Sequence, residues 1–245
     1  MGYLYSTILY RPLLNALVFL YNTIGAHDLG LAIVFLTIII RIVLFPVFHK
    51  SARQQVIMQK LQPEMKRIQE LHKKDREKQT KAIMDLHKEH GVNPFMGFLL
   101  LLVQLPILWT LYIIIRATLA PGAIAGLYGF VAAPASINPM FLGLINLSQR
   151  SIVIVGLAAV AQYLQAKLSL RTLPKDQVLS QAEKMSRQMV FLAPILTVTL
   201  FYGLPAAIPL YWCVTSFFSA GQQVIINKQL ADADGTVGTN NKKNS

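Results

Sequence analysis

Charged residues are scarce in this sequence. They make up 14% of its 245 residues, whereas hydrophobic residues make up 54%, and a soluble globular domain usually carries about 25% charged residues. The hydrophobic residues are concentrated in runs of about 20, which is the length that crosses the hydrocarbon core of a bilayer. The shortage of charge therefore favours a membrane protein, and one compact bundle is the simplest interpretation.

Several groups on which enzymes and metalloproteins depend are also missing. Cys213 is the only cysteine, so no disulfide can form within the chain, and its apolar surroundings predict a packing role. The sequence has no GxxxxGK[ST] loop, and His87-Lys88-Glu89-His90 lacks the HExxH order of a zinc protease. No carboxylate pair lies in an apolar run to support hydrolysis. We expect a protein that is not an enzyme and that uses no cofactor and no metal.

Five apolar segments predict an all-α membrane protein with five transmembrane helices. The third is short in its apolar part and reaches full length if Lys167 extends its ammonium group to the interface. The last two come from the 40 charge-free residues 188–227, which Gly203-Leu204-Pro205 interrupts. The predicted spans are 29–48, 95–115, 151–168, 189–203 and 206–226.

The N-terminal segment 1–28 is apolar but differs from these spans. After Arg11-Pro12 only about 12 apolar residues follow before Gly25, which is short for a crossing. Leucines at helical spacing instead favour an interfacial amphipathic helix. The competing interpretation is a signal peptide, but the basic start and the small-residue cleavage site are not present.

Lysine and arginine are distributed unevenly between the predicted loops. The segment 49–94 holds 11 of them, 167–188 holds 5 and the segment from Lys228 holds 3, so 19 of 23 lie on one side. Because basic loops stay in the cytoplasm, we expect the N terminus outside and the C terminus in the cytoplasm of a bacterium, with the protein in its plasma membrane. This topology accounts for the formal charge of +12 without a nucleic acid partner, and we expect no DNA binding.

The segments between the spans have distinct compositions. Apolar residues at helical spacing, including Met65, Ile68 and Leu86, predict a cytoplasmic helical hairpin over 49–94. Pro63 fits the first turn of a helix that starts near Gln62. The loop 116–150 is predicted outside and the loop 169–188 in the cytoplasm, and the polar composition of 228–245 predicts a disordered cytoplasmic tail.

Arg41 is the candidate functional residue, because a charged side chain inside a span costs at least a few kcal/mol unless it is solvated. It lies seven residues before Phe48, about 10 Å above the predicted cytoplasmic end of its span. No span contains Asp or Glu, so water and uncharged polar side chains must solvate the guanidinium. Candidates for the lining of a wet cavity are Gln104, Thr110, Gln162, Gln165, Thr197, Thr199, Thr215, Ser216 and Ser219. The alternative is that Arg41 extends to the interface and each glutamine or threonine bonds a neighbouring helix.

Three motifs follow one another along the chain. They are Arg41-Ile-Val-Leu-Phe-Pro46, then Asn93-Pro94 ahead of Gln104-Leu-Pro-Ile107, and finally Leu210-Tyr-Trp212 leading to Gln222-Gln223. In this order and spacing, over about residues 30 to 230, the sequence resembles the YidC family of membrane insertases. Mitochondrial and chloroplast relatives of that family share a five-span core.

The resemblance implies a hydrophilic groove that is closed toward the outside and open to the cytoplasm and to lipid. It assigns groove positions to Arg41, Gln104, Trp212 and either Gln162 or Gln165. It also implies that the cytoplasmic hairpin is flexible and is needed for insertion. No lipobox cysteine stands at the N terminus, so a lipid anchor is not expected.

These features predict a membrane protein insertase and chaperone. A hydrated groove lowers the cost of moving a short polar tail across the bilayer, and Arg41 attracts acidic residues in that tail. The expected partners are nascent membrane proteins and the lipid bilayer. The basic hairpin is expected to face the cytoplasm, where its candidate partners are ribosomal RNA, anionic lipid headgroups or a Sec-type translocon. The alternative is that its positive charge only orients the protein in the membrane.

Two other functions are alternatives to an insertase. A small-molecule or ion transporter would use Arg41 as an anion site, but such transporters often show repeated halves, which this sequence does not show clearly. A passive scaffold would need no arginine at that depth.

Overall fold

The computed structural model of the protein describes residues 2–120, 124–170 and 181–241, and the side chains of all of these except 101, 181–186 and 232–241. The described part is mostly helical. Its elements in chain order are α1 (Tyr3–Tyr5), a π-helical turn (Ser6–Tyr10), α2 (Arg11–Asn22), α3 (Leu29–Val43), α4 (Phe45–Lys60), α5 (Gln62–Leu71), α6 (Arg76–Glu89), α7 (Met96–Leu119), β1 (Met140–Phe141), β2 (Ile145–Asn146), α8 (Ile152–Leu168), α9 (Gln181–Phe201) and α10 (Ala207–Asn241).

The bundle is built around α10. This helix packs against α8 on one side and α3 on the other, while α9 packs on α8 and α2 packs on α3. The helix α7 contacts α4, α10 and α2. One continuous hydrophobic core joins them, with Leu14, Ile33, Leu111, Ile154 and Tyr211 among its fully buried side chains.

One described helix, Met96–Leu119, is by itself long and apolar enough to cross a membrane. The bent pair Leu29–Val43 and Phe45–Lys60 meets the same criterion when its two helices are taken together. The apolar helices Ile152–Leu168 and Arg187–Phe201 are shorter.

The first predicted span, 29–48, is interrupted in the structure. Asp28 caps the start of α3 by accepting a hydrogen bond from the Leu31 amide at 2.8 Å. The helix ends at Val43, and α4 then leaves at 68° to α3. Pro46 explains the break, because it has no amide hydrogen for the carbonyl of Ile42, four residues earlier, and its ring would clash with that carbonyl in a continuous helix. Arg41 consequently lies three residues, about 4.5 Å, from the bend and not about 10 Å from the end of its helix.

The loop after α7 contains a small β-hairpin, so the prediction of an all-α chain was incomplete. Met140 pairs with Asn146 and Phe141 with Ile145 in two antiparallel strands. Strands of two residues carry too little alternation to be recognised in a sequence. The ring of Phe141 packs on Gly30, where a Cβ atom would overlap it.

Side-chain hydrogen bonds tie this loop to α2 and to the start of α3. Asn15 is buried, donates to the Gly126 carbonyl at 3.2 Å and accepts from the Tyr128 amide at 2.6 Å. The Tyr21 hydroxyl accepts from the Asn138 amide at 2.8 Å, and Asp28 accepts from the Leu142 amide. The loop and α2 therefore cover one end of the bundle, which we name the loop end.

The predicted hairpin lies at the opposite end, which we name the hairpin end. The structure divides it into α4, α5 and α6, and α5 starts at Gln62 with Pro63 in its first turn, as predicted. Met65 and Ile68 pack on the buried cluster formed by Leu61, Leu86 and Val92. The predicted residues therefore meet in one small hydrophobic core.

The break predicted at Gly203-Leu204-Pro205 lies between the end of α9 at Phe201 and the start of α10 at Ala207. The tail from 228 was predicted to be disordered, whereas α10 continues to Asn241. Helix-forming residues from Lys228 to Asp234, with no proline among them, allow this extension. Residues 171–180 of the predicted loop 169–188 lie outside the described residues, and α9 includes the end of that predicted loop from Gln181 onward. The last four residues of the predicted tail also lie outside the described residues.

Candidate functional site

A cavity of about 250 Å³ opens at the hairpin end of the bundle. Five helices supply its walls, and most of the side chains are uncharged and polar. The lining residues are Arg41 from α3, Phe48, Ala52 and Gln55 from α4, Gly97, Leu100 and Gln104 from α7, Gln162 and Gln165 from α8 with Ser169 following it, and Trp212, Thr215, Ser216, Ser219, Gln222 and Gln223 from α10. Toward the loop end, the apolar core takes the place of polar residues.

Arg41 carries the only charge in this lining. Its Nη2 atom donates to Ser219 Oγ at 2.8 Å and to Gln222 Oε1 at 3.1 Å. The guanidinium carbon lies 3.9 Å from the Phe48 ring centroid and 5.2 Å from that of Phe218, which are cation–π distances. No described carboxylate pairs with Arg41, and its Nε atom has no hydrogen-bond partner among the described residues. Its positive charge is therefore held by dipoles and aromatic rings, without a counter-charge.

Gln162 has a defined orientation on the α8 wall. Its Oε1 atom accepts from Trp212 Nε1 at 3.0 Å and from Ser216 Oγ at 3.0 Å. Because an indole N–H can only donate, the atom that faces Trp212 must be the amide oxygen. The amide nitrogen of Gln162 has no partner among the described residues, so it offers two donor hydrogens beside the cavity.

Gln104 forms a corresponding contact on the α7 wall. Its Nε2 atom donates to the hydroxyl of Tyr211 at 2.7 Å, and Tyr211 is buried in the core. The amide oxygen of Gln104 has no hydrogen-bond partner among the described residues and is an acceptor beside the cavity. The two walls thus present both hydrogen-bond donors and acceptors.

The structure brings together six of the residues that the sequence assigned to the groove, whereas the candidates Thr110, Thr197 and Thr199 do not line it. The hydroxyls of these three threonines donate instead to backbone carbonyls four residues earlier in their own helices. Arg41, Gln104, Gln162, Gln165, Trp212 and Thr215 all line the one cavity. The sequence did not identify the aromatic rings of Phe48 and Phe218, or Gln222 as the direct partner of Arg41. Gln222 follows Ser219 by three residues on α10, which places both side chains on one helix face. Arg41 and Gln222 are 181 residues apart in the chain, so helical periodicity could not indicate that they are in contact.

The hairpin residues Met65, Ile68 and Leu86 are not part of this cavity. They hold α5 and α6 together at the hairpin end. Asp75 caps α6 by accepting from the Lys78 amide at 3.0 Å, and this bond lowers the pKa of Asp75 below its ordinary value. None of these residues supplies a group to the cavity.

The fold and the cavity define the class of protein as a mostly helical bundle in which one or two described helices could cross a membrane, with a polar, cationic recess on one side of the apolar core. The recess holds no cluster of three or more possible metal ligands among the described residues. Its polar groups suit a polypeptide or another solute with hydrogen-bonding groups.

Comparisons with known proteins identify the family. A family model described as 60Kd inner membrane protein matches residues 19–233, so the chain belongs to that family. A membrane protein insertase YidC from Geobacter metallireducens is 31% identical over 231 residues, covering 93% of this chain and 38% of the relative. The Rickettsia bellii insertase YidC is 32% identical over 230 residues, covering 90% of this chain and 39% of the relative.

A solved structure has a similar fold. A crystal structure of an active YidC insertase with its first transmembrane domain resolved aligns with a TM-score of 0.60 and 26% sequence identity. The alignment covers 86% of this chain and 45% of the solved chain. The protein thus spans less than half the length of the relatives that it matches.

Proposed function

We propose that this protein inserts membrane proteins into a bacterial plasma membrane by receiving a polar segment of the substrate in the cavity around Arg41. The observation that carries the proposal is a buried guanidinium beside a polar cavity, with no carboxylate paired to it among the described residues. Relatives named membrane protein insertase YidC support it.

The proposed topology has five spans. They correspond to 29–48, 95–115, 151–168, 189–203 and 206–226, with the first bent after Val43. The N terminus and the loop end face outward, and the hairpin end and the C terminus face the cytoplasm. The concentration of 19 of 23 basic residues on one side supports this orientation. The helix formed by α1, the π-helical turn and α2 is proposed to lie at the outer interface.

In this orientation the cavity opens toward the cytoplasm. A polar tail that enters it exchanges bulk water for uncharged hydrogen-bonding groups, which reduces the cost of leaving water. The charge of Arg41 attracts a carboxylate more strongly there than in water, because the surrounding dielectric constant is lower. The aromatic rings stabilise the cation without neutralising it, so the attraction remains available to the substrate.

The apolar part of the substrate is proposed to leave for lipid beside the cavity. The outer surface of α7 exposes Phe98, Leu102 and Trp109, and that of α9 exposes Phe191 and Ile195. These surfaces are compatible with acyl chains or with an apolar substrate helix. Transfer of apolar surface from water stabilises the product by about 25 cal/mol per Å². This driving force requires neither a nucleotide nor a cofactor, and the proposed role is not enzymatic.

Nascent membrane proteins are the proposed substrates, and the bilayer is their destination. The basic cytoplasmic hairpin is the surface that we assign to a ribosome or to a Sec-type translocon. Exposed Lys73 and Lys74 at its tip are suitable contacts for such partners.

Insertion by the purified protein tests the proposal. Proteoliposomes would receive a single-span protein with a short acidic tail or with the same tail made neutral. We expect the wild-type chain to insert both, and Arg41→Ala to reduce insertion of the acidic form about tenfold or more, because an attraction of a few kcal/mol is lost. Arg41→Lys, which keeps the charge but loses the planar stacking, should give an intermediate value.

Equal insertion of the acidic tail by Arg41→Ala and wild type would exclude a role for the charge. Solute or ion flux without any insertion would instead favour the alternative function, a small-molecule or ion transporter that uses the same cavity.

A further inference from the structure

The bend between α3 and α4 exposes a short cationic stripe. Pro46, Lys50 and Arg53 are exposed, and their spacing of four and three residues places them on one face of α4. The buried residues Phe48 and Ser51 lie on other sides of the helix and face the cavity and α7. Lys50 and Arg53 therefore point away from the cavity and do not take part in its lining.

These two cations have no acidic partner among the residues whose side chains the structure describes. The sequence has no Asp or Glu between Asp28 and Glu64. The ion pairs of the described residues involve neither Lys50 nor Arg53. Their charges are therefore available to an external anion.

The geometry of the bend sets their depth relative to the bilayer. Ile42 and Val43 are 59% and 69% exposed, so apolar surface continues to the end of α3. Lys50 and Arg53 follow Val43 by seven and ten residues, about 10 and 15 Å along a helix. Because α4 runs at 68° to α3, these lengths correspond to only about 4 and 6 Å of depth along the α3 axis. The headgroup layer of one leaflet is about 5 to 7 Å thick, so both cations lie within it.

We propose that Lys50 and Arg53 bind the headgroup of an anionic phospholipid, and that the bound lipid holds α4 against the cavity. A phosphate accepts two parallel hydrogen bonds from an arginine and a charge contact from a lysine. The exposed Ile42 and Val43 contact the acyl chains of the same molecule. Nucleic acid offers the phosphate but no apolar partner for these residues, so a phospholipid fits the surface better.

The bound lipid would act on the functional site through α4. Phe48 on this helix stacks 3.9 Å from the Arg41 guanidinium carbon, and Ala52 and Gln55 form the nearby wall. Fixing α4 at the headgroup layer therefore keeps Phe48 over Arg41 and keeps the mouth of the cavity in its present shape. The inference rests on the proposed topology and function, because the depth of the cations is counted from a membrane span.

The full chain in lipid nanodiscs tests the proposal. Hydrogen exchange of the α4 amides would be compared in phosphatidylcholine alone and in phosphatidylcholine with phosphatidylglycerol. Phosphatidylglycerol molecules retained by the protein would be counted by native mass spectrometry. We expect phosphatidylglycerol to slow exchange in wild-type α4 by up to about thirtyfold, which is the combined effect expected for two basic residues near an anionic leaflet.

The double variant Lys50→Gln, Arg53→Gln should lose this protection and retain fewer phosphatidylglycerol molecules. Lys73→Gln, Lys74→Gln removes the same charge at the hairpin tip and is the matched control, which should behave as wild type. Inorganic phosphate or a short RNA added to phosphatidylcholine nanodiscs should not protect α4. Full protection in the double variant, equal loss in the control, or protection by phosphate or RNA alone would each overturn the proposal.

Insertion assays on the same samples separate this inference from the proposed function. Lipid-dependent protection of α4 without insertion of any substrate would support the lipid site and refute the proposed insertase function. Insertion without lipid-dependent protection of α4 would refute the lipid site alone.

Discussion

At the residue scale, Arg41 shows how a cation can be kept in an apolar bundle with no carboxylate paired to it among the described residues. Two side-chain oxygens and two aromatic faces contact its guanidinium. A buried ion pair would neutralise the charge and leave little attraction for a substrate. Neutral dipoles and ring quadrupoles stabilise the cation but leave its net charge in place. The cavity therefore stays electropositive with uncharged walls.

Gln162 gives a prediction at the same scale. In Gln162→Glu, Trp212 and Ser216 can still donate to one oxygen, but the other oxygen brings a negative charge to the cavity instead of two donor hydrogens. We expect insertion of an acidic tail to fall about tenfold, since repulsion offsets the attraction of Arg41, and insertion of a neutral tail to change less. Gln162→Met adds no charge and is the control for the loss of the amide group, which removes both the donor hydrogens and the oxygen that accepts from Trp212 and Ser216. Equal insertion of acidic tails by the glutamate variant and wild type would contradict the role of the cavity's positive charge in receiving the tail.

At the element scale, α4 connects the cavity to the cytoplasmic hairpin. Its first half contributes Phe48 and Ala52 to the cavity, and its second half packs Ile57 and Met58 on the hairpin core. Ser51 on the same helix donates to the Met96 carbonyl at the start of α7, with the atoms 3.4 Å apart. A movement of the hairpin would therefore reach Arg41 through a single helix.

The contact between α3 and the β-hairpin gives a prediction on stability. Gly30→Ala should lower the free energy of unfolding by about 1 to 3 kcal/mol, because the added methyl group overlaps the ring and Cβ of Phe141. Gly156→Ala is the matched control in α8, where a Cβ atom would meet no atom within 4 Å. Its helix propensity should leave stability unchanged or raise it by up to about 1 kcal/mol. Thermal unfolding in detergent measures both, and a lower midpoint for Gly156→Ala than for Gly30→Ala would contradict the packing.

At the scale of the whole molecule, the two ends of the bundle differ in chemistry. The loop end is closed by apolar packing and by hydrogen bonds in which Asn15 donates to the loop and Tyr21 and Asp28 accept from loop amides. The Ala206 and Ala207 amides also donate to the carbonyls of Gln149 and Leu147. The hairpin end contains the polar cavity. This asymmetry is compatible with a substrate that enters from one side only.

The proposed orientation predicts which surfaces a membrane-impermeant maleimide can reach. In a Cys213→Ala background, a cysteine replacing the exposed loop residue Phe130 should be labelled on intact cells. A cysteine replacing Lys73 at the hairpin tip should be labelled only after lysis. The Cys213→Ala chain without added cysteine is the control for background. Labelling of both positions on intact cells, or of Lys73→Cys alone, would contradict the topology.

Local sequence determined much of this protein. The apolar runs, the start of α5 at Pro63 and the break after Gly203 follow from the composition and backbone chemistry of neighbouring residues. The absence of carboxylates from the apolar runs also excluded an ion pair for Arg41 before any contact was known. The predicted glutamines, Thr215, Ser216 and Ser219 meet in one cavity, whereas Thr110, Thr197 and Thr199 bond their own helices instead.

Tertiary structure decided the remaining features. The stacking of Arg41 between Phe48 and Phe218 and its bond to Gln222 join residues that are far apart in the chain. The angle of the α3–α4 bend and the short β-hairpin also depend on contacts between elements. Helical periodicity gives the face on which a side chain lies, but the partner of that face is set only when the helices pack.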